Sequence, residues 1–355
     1  MTTRQKVIAK TLAAGIFLAA IQAAECAYLE QDQGKQPQPT PERIIPPPPP
    51  PRNEICRLIS RIRVGSPFSF KNMTVFPLRL SPPWGDSDYK TLDESLSSGY
   101  IEILEEKDPE VRSVLVRNSS RHHVFLMAGE SLAGGKQNRL ISEDVLLAPH
   151  GKAVRVPVYC IQRRRWSPGK RELASGGFAA PSSMRRMARE KVSQRALWDA
   201  VSGVLEETGA RSENEDLSAA FKSSSVSGEL ARYRREIRIP LRETVGCVAV
   251  VNGRIIASDI FSSPELFGKL WGKLLDSCSL DAITGREVRR RGPQPDEGDV
   301  RRFLDRVFRA SYRERGARDV GRIVEVAGGG IDGEGLTFRR EVVHVHLTPR
   351  REVRF

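Results

Sequence analysis

An α+β fold, with a largely antiparallel sheet and several amphipathic helices packed against it in a single domain, is what this 355-residue sequence predicts. Three observations carry the prediction. Short β-rich runs bounded by turn residues recur at Val75–Leu80, Tyr100–Leu104, Val111–Arg117, His123–Met127, Val145–Ala148 and Ala153–Cys160. Asn252-Gly253 stands between the apolar runs 246–251 and 254–259, the strongest short-range hairpin signal there is. Helical periodicity marks Ala188–Glu207 and, more strongly, the stretch after Ser263.

In that last stretch Ser263 caps, Pro264 fits the first helical position and Glu265 suits the positive end of the helix dipole. Leu266, Leu270, Leu274 and Cys278 follow at i+4 spacing beside Phe267, Trp271 and Leu275, so these aromatic residues are expected in the core. A further helix is expected over Asp299–Tyr312, then strands at Arg322–Ala327, Leu336–Arg340 and Val342–Leu347. No internal repeat is present.

The chain carries 39% hydrophobic and 28% charged residues, the composition of a folded protein. Lys+Arg number 57 against 44 Asp+Glu, a formal +13 that suits anionic partners: a phosphate-bearing metabolite, an acidic polymer or an acidic surface. Residues 1–27 have the pattern of a signal peptide or N-terminal anchor, with Arg4, Lys6 and Lys10 ahead of the apolar run Leu12–Ala24. That run falls short of the roughly 20 residues a comfortable membrane span needs, so no integral membrane domain is expected beyond it. The expected location is periplasmic or extracellular, with membrane anchoring through the N-terminus as the alternative.

Residues 28–55 form a Pro- and Gln-rich linker ending in six prolines, Pro46–Pro51, a stiff polyproline spacer ahead of the domain at 56–355. Export would put Cys56, Cys160, Cys247 and Cys278 in an oxidising compartment, where three pairings are open. Residues 163–187, dense in Arg, Lys, Gly, Ser and Pro, are expected to be an exposed basic excursion.

The candidate site begins where Val124-Phe125-Leu126-Met127 runs into Gly129-Glu130-Ser131-Leu132-Ala133-Gly134-Gly135-Lys136-Gln137-Asn138-Arg139. Glycines permit a close backbone approach to a ligand, and successive N–H groups can cradle an anion. Glu130 is the candidate base, Lys136 and Arg139 the cations, and Gln137 and Asn138 the orienting amides, with Gly134 and Gly135 as the turn. The spacing excludes a nucleotide-hydrolase phosphate loop, because Gly135 stands where the lysine belongs and Gln137 where a Ser or Thr should follow.

Cys160, at a strand end beside Arg163, Arg164 and Arg165, is a candidate nucleophile, and Arg165 with Trp166 a candidate stacking and charge pair. The other outcome for Cys160 is a half-buried thiol, free or disulfide-bonded. His344 and His346 alternate in one strand and so share a face, but two ligands are too few for a metal site, and paired surface histidines are expected. No metal site is assigned, and no cofactor is identified.

Taken together, Tyr89-Lys90-Thr91-Leu92-Asp93-Glu94, Gly129-Glu130, Gly134 to Arg139, Cys160, Arg165-Trp166, Asp259-Ile260-Phe261, Leu266-Phe267 and Trp271 resemble one prokaryotic family. It is the ADP-ribosylglycohydrolase and rhodanese-phosphatase-superfamily-associated protein domain family, and the resemblance runs from about Asn72 to the C-terminus. It implies an α+β domain found beside enzymes that remove ADP-ribose and beside phosphatases, and hence an ADP-ribosyl or other phosphorylated small molecule as ligand. It also implies Glu130, Lys136, Gln137, Arg139, Cys160, Arg165 and Trp166 as site residues. Asn138 and Gln162 stand where relatives carry acids, a change that keeps hydrogen bonding and loses charge. The alternative function is a non-catalytic envelope module that binds acidic polymer or protein through its basic surface.

Overall fold

The largest sheet is antiparallel throughout. From one edge to the other it runs Ile62–Val64, Met73–Leu80, Thr244–Val251, Arg254–Phe261, Glu341–Pro349, Ile331–Phe338, Arg322–Gly328 and Ser311–Gly316, with Phe68–Phe70 also on Met73–Leu80. The structure is a computed structural model that describes residues 53–80, 88–106, 112–165, 167, 171–261, 263–285 and 293–350. All of these fall within one compact unit, residues 49–355. The expected signal segment, most of the linker with its proline run, and Trp166 lie outside the described residues.

Helices cover both faces of this sheet. On one face lies the 21-residue helix Pro264–Thr284, which starts as its sequence predicts: Ser263 Oγ accepts from Leu266 N at 3.1 Å. Phe267, Leu270 and Leu274 pack on Cys247, Ala249 and Val251, with Trp271 half-buried alongside. On the other face Ile55, Leu58 and Ile59 of helix Glu54–Arg61, and Val300, Phe303 and Leu304 of helix Glu297–Asp305, pack on Val248, Val250, Val345 and Leu347. The hairpin forms as expected, with Asn252 and Gly253 at φ 51° and 76°, as a tight turn of this type requires.

A six-stranded antiparallel sheet follows the order Leu173–Ala179, Glu130–Gly134, Arg139–Ile141, Val154–Cys160, Ser113–Asn118, Ile101–Glu105. A three-stranded sheet, Val145–Leu147, Val124–Leu126, Lys90–Thr91, shares its core, and its last pair is parallel. Among the described residues no helix is long and apolar enough to cross a membrane.

The structure corrects several expectations. Residues 163–187 are not an exposed excursion where they are described. Leu173–Ala179 pairs with Glu130–Gly134, and helix Ser182–Arg189 follows, so the arginines that suggested solvent partly face the interior. The helix expected over Ala188–Glu207 is two, because Lys191 takes a left-handed φ of 54° and Ser193 caps a second helix, Gln194–Thr208.

The polar stretch after Arg211 contains helices Ser218–Lys222 and Ser224–Glu236, held by Leu217, Ala220, Val226 and Leu230 in a core that includes Leu280. The helix expected to reach Tyr312 stops at Asp305, passes through a 3₁₀ turn, and gives way to the edge strand Ser311–Gly316. Cys56, Cys160, Cys247 and Cys278 are all buried and free, so none of the three disulfide pairings forms.

Candidate functional site

The long antiparallel sheet aligns a row of polar side chains across five strands. Cys247 stands opposite Asp259, Asp259 opposite His346, His346 opposite Glu334, and Glu334 opposite Glu325. Directly paired residues project to the same face, so the row is one continuous feature. Helix Ser182–Arg189 lies over it. That helix is fixed at its N-terminus by Asp281 of the long helix, which accepts from Ser182 N at 2.7 Å and Ser183 Oγ at 2.8 Å. Arg185 and Arg189, one turn apart, therefore point the same way.

Asp259 is the hub. It accepts a two-pronged contact from Arg185 at 3.0 and 2.6 Å and is bonded by His346 Nδ1 at 2.8 Å and His344 Nε2 at 3.1 Å. Burial penalises its charge, but Arg185 and the histidines outweigh that and hold its pKa well below the ordinary value. Asp144 bonds the other nitrogen of His344 at 2.6 Å and accepts from Ala128 N at 2.7 Å. Its carboxyl is held down to about 2, because His344 and Arg189 overcome its burial.

With a carboxylate on each nitrogen, His344 donates from both and its pKa is raised against the cost of burial. The Arg185 side chain also explains Gly129, which has φ 97°: a Cβ there would stand 2.4 Å from Arg185 Cγ.

Arg189 is different. Its side chain is 7% exposed, its nearest carboxylate oxygen is Asp144 Oδ1 at 3.9 Å, and all three of its guanidinium nitrogens are buried without a hydrogen-bond partner. His346 also has an unpartnered buried nitrogen, Nε2. Burial and the neighbouring Arg189 push the His346 pKa down to about 3, so the ring is neutral, donates Nδ1–H to Asp259 and leaves Nε2 a bare acceptor. A buried guanidinium that makes no hydrogen bond is costly unless a ligand, ion or water meets it.

Both residues line a cavity of about 320 Å³, with Arg186, Glu190, Glu325, Asp332, Glu334 and Thr348 among the other walls. That volume suits a small ligand. Glu334 on the floor is 6% exposed and bonded to Arg315 at 3.1 Å. Burial, with Asp144 and Glu143 nearby, raises its pKa from 4.5 to about 7 against the pull of Arg189 and Arg315. A carboxyl that titrates there can give or take a proton at neutral pH.

The stability consequence has a definite sign. The neutral form of Glu334 is unpenalised below its unfolded pKa of 4.5, and the cost of ionising it grows as pH rises to about 7. Glu334→Gln is therefore expected to gain roughly 1–3 kcal/mol over wild type at pH 8 and nothing at pH 4, measured by denaturant unfolding. Equal stability at both pH values would contradict this.

The loop singled out from the sequence has spent its polar atoms on the protein. Glu130, fully buried, accepts from Met127 N at 2.8 Å and from Lys273 at 2.7 Å, and Lys273 also holds Asp93 at 2.8 Å. Arg139, also fully buried, bonds both oxygens of Glu105 at 2.9 and 3.2 Å. Gly134 closes the strand Glu130–Gly134, and a Cβ on Gly135 would stand 2.9 Å from the Glu105 side chain. Lys136 donates to Glu106 O, Gln137 to Gln162 O, and Asn138 to Asp216 at 2.9 Å. Arg165 bonds Gln162 at 2.6 Å and Gly134 O at 2.8 Å.

The sequence candidates from Gly134 to Arg139 thus gather with Cys160 and Arg165, while Glu130 sits apart on Lys273. Cys160 is 1% exposed, donates to Gln137 and Gln162 O at 3.1 Å, and has its pKa raised by burial more than Arg139 lowers it. Iodoacetamide is expected to leave Cys160 unlabelled in the native protein at pH 8 and to label it after denaturation. Rapid native labelling would contradict that burial.

A family model, the ARG and Rhodanese-Phosphatase-superfamily-associated Protein domain, matches residues 61–348. The chain belongs to that family. No curated protein and no solved structure matches it. Of the residues that carried the resemblance, Asp259 becomes the hub of the buried cluster, and Gly129 makes room for its arginine.

In this member of the family the expectation of paired surface histidines is overturned. His344 and His346 are 0% and 1% exposed, because their strand lies inside the sheet under a helix. Arg185, Arg189 and Glu334 were missed from the sequence. Their signals were faint: an i, i+4 arginine pair, and polar residues alternating within apolar strands. Among the described residues no group of three or more His, Cys, Asp or Glu side chains is arranged so that it could hold a metal ion.

Proposed function

We propose that the protein binds an anionic, phosphate-bearing small molecule of the ADP-ribosyl class in the cavity beside helix Ser182–Arg189, with Arg189 taking the charge. The observation that carries this is the buried guanidinium of Arg189, which makes no hydrogen bond and only a 3.9 Å ionic contact with Asp144, at a cavity of about 320 Å³. Guanidinium suits phosphate because its planar fork meets two oxygens at once. The family's name, which joins it to ADP-ribosylglycohydrolases and to phosphatases, supports the ligand class. Glu334 is positioned to exchange a proton with what is bound. Residues 1–27 support an exported protein carried on the linker that follows.

The sequence-based alternative, in which Lys136 and Arg139 hold the ligand and Glu130 or Cys160 acts on it, makes an opposite prediction for the same experiment. Thermal-shift assays with ADP-ribose, NAD, nucleotides and acidic polymers are expected to show a saturable rise in melting temperature with an ADP-ribosyl compound. The rise should survive Lys136→Ala. A shift lost in Lys136→Ala would move the site to the loop, and a shift only with polymers at low salt would make the protein a charge-binding envelope module.

A further inference from the structure

Three residues that line the cavity bring a base, an acid and a cation to one place. His346 and Glu334 stand directly opposite each other on neighbouring strands and share a face, which puts their Cβ atoms about 5 Å apart. Arg189 reaches the same cavity from the helix that lies over them. None of the three side chains is more than 8% exposed, so what they meet is held away from water.

The His346 ring is fixed in one orientation and one tautomer. Nδ1–H donates to Asp259 Oδ1 at 2.8 Å, and Nε2 is a buried lone pair that meets no donor among the described residues. A carboxylate on one nitrogen with the other left bare prepares an imidazole either to attack or to take a proton. The two uses differ in the charge they leave behind. A proton on Nε2 would make a second buried cation beside Arg189, where burial and that arginine already hold the ring neutral. A phosphoryl group on Nε2 instead brings negative charge to the arginine. Attack on phosphorus is therefore the use this environment favours, and catalytic contacts of this kind close when the ligand is bound.

We infer that the bound phosphate ester is a substrate, with His346 Nε2 as the nucleophile that takes its phosphoryl group and Glu334 as the acid for the departing oxygen. This rests on the anionic-ligand reading above and adds a reaction to it. The Nε2 lone pair forms an N–P bond while the P–O ester bond breaks; that electron pair leaves with the oxygen, which takes the Glu334 proton. Water then attacks phosphorus and gives a proton back to the Glu334 carboxylate, and the N–P electron pair returns to Nε2 as phosphate departs. Ester and water become alcohol and phosphate, with the protein unchanged. Arg189 meets the phosphoryl oxygens in both steps, and Arg315, 3.1 Å from Glu334 Oε2, steadies the carboxylate between them.

The full chain is tested with two esters that differ in their leaving group: p-nitrophenyl phosphate, whose phenolate departs without a proton, and ribose 5-phosphate, whose alkoxide needs one. Wild type is expected to hydrolyse both, with retention at an isotopically chiral phosphorus because two in-line displacements occur. An alkaline quench should leave a phosphoryl group on the peptide that carries His346. Glu334→Gln should lose about 10²-fold or more on ribose 5-phosphate and little on p-nitrophenyl phosphate. His346→Gln should lose both activities and still bind inorganic phosphate by calorimetry. Inversion at phosphorus, a phosphoryl group on another residue, or an equal response of the two esters to Glu334→Gln overturns the inference. Binding of inorganic phosphate by wild type with turnover of neither ester also overturns it and leaves the anionic-ligand reading standing. Failure of wild type to bind any phosphate-bearing probe overturns both.

Discussion

Arg185→Ala is expected to destabilise the protein by about 3–5 kcal/mol, the cost of stranding a buried carboxylate without its main partner. Asp259 would keep its contacts to His344 and His346, beside an Arg189 that makes no hydrogen bond. The space vacated against Gly129, where Arg185 Cγ now lies 2.4 Å from the position a Cβ would take, would add a cavity. Urea unfolding measures the loss directly, and a fall in melting temperature on the order of 10 °C should accompany it. A variant as stable as wild type would mean that Asp259 is held by something other than this arginine.

Arg189→Met is expected to have the opposite sign, raising stability by about 1–3 kcal/mol while abolishing the response to phosphate-bearing ligands. A buried guanidinium with no hydrogen bond costs more than an apolar side chain of similar length, and Asp144 retains His344 and Ala128 N when Arg189 is gone. The pair of variants separates two arginines one turn apart on the same helix, one that stabilises the fold and one whose cost the proposed ligand would offset. Loss of stability in Arg189→Met would place this residue with Arg185 as a structural ion.

Local signals in the sequence predicted local structure well. Ser263-Pro264-Glu265 fixes the start of the long helix and Asn252-Gly253 fixes the central hairpin because caps and tight turns depend on neighbours in the chain. The site depends on pairing between distant strands, and there the sequence was silent. Asp259 and His346 are opposite each other by sheet register, which no spacing in the chain displays. The Ser182–Arg189 helix was hidden because its exposed-looking arginines are the ones buried against Asp259 and beside Asp144.

The glycine-rich run was legible as a turn, but what its glycines face was not. Glycines that look made for a ligand here admit side chains of the protein itself, Arg185 at Gly129 and Glu105 at Gly135. Asp259-Ile260-Phe261 was legible as part of the family resemblance, but its role as a charge hub needed the histidines brought alongside.

The most direct test is a calorimetric titration of ADP-ribose into wild type, Arg189→Met and Lys136→Ala under one set of conditions. The account predicts saturable binding to wild type and Lys136→Ala, and none to Arg189→Met despite its higher melting temperature. Binding that survives Arg189→Met, or is lost in Lys136→Ala, would contradict the assignment of the cavity beside helix Ser182–Arg189 as the ligand site.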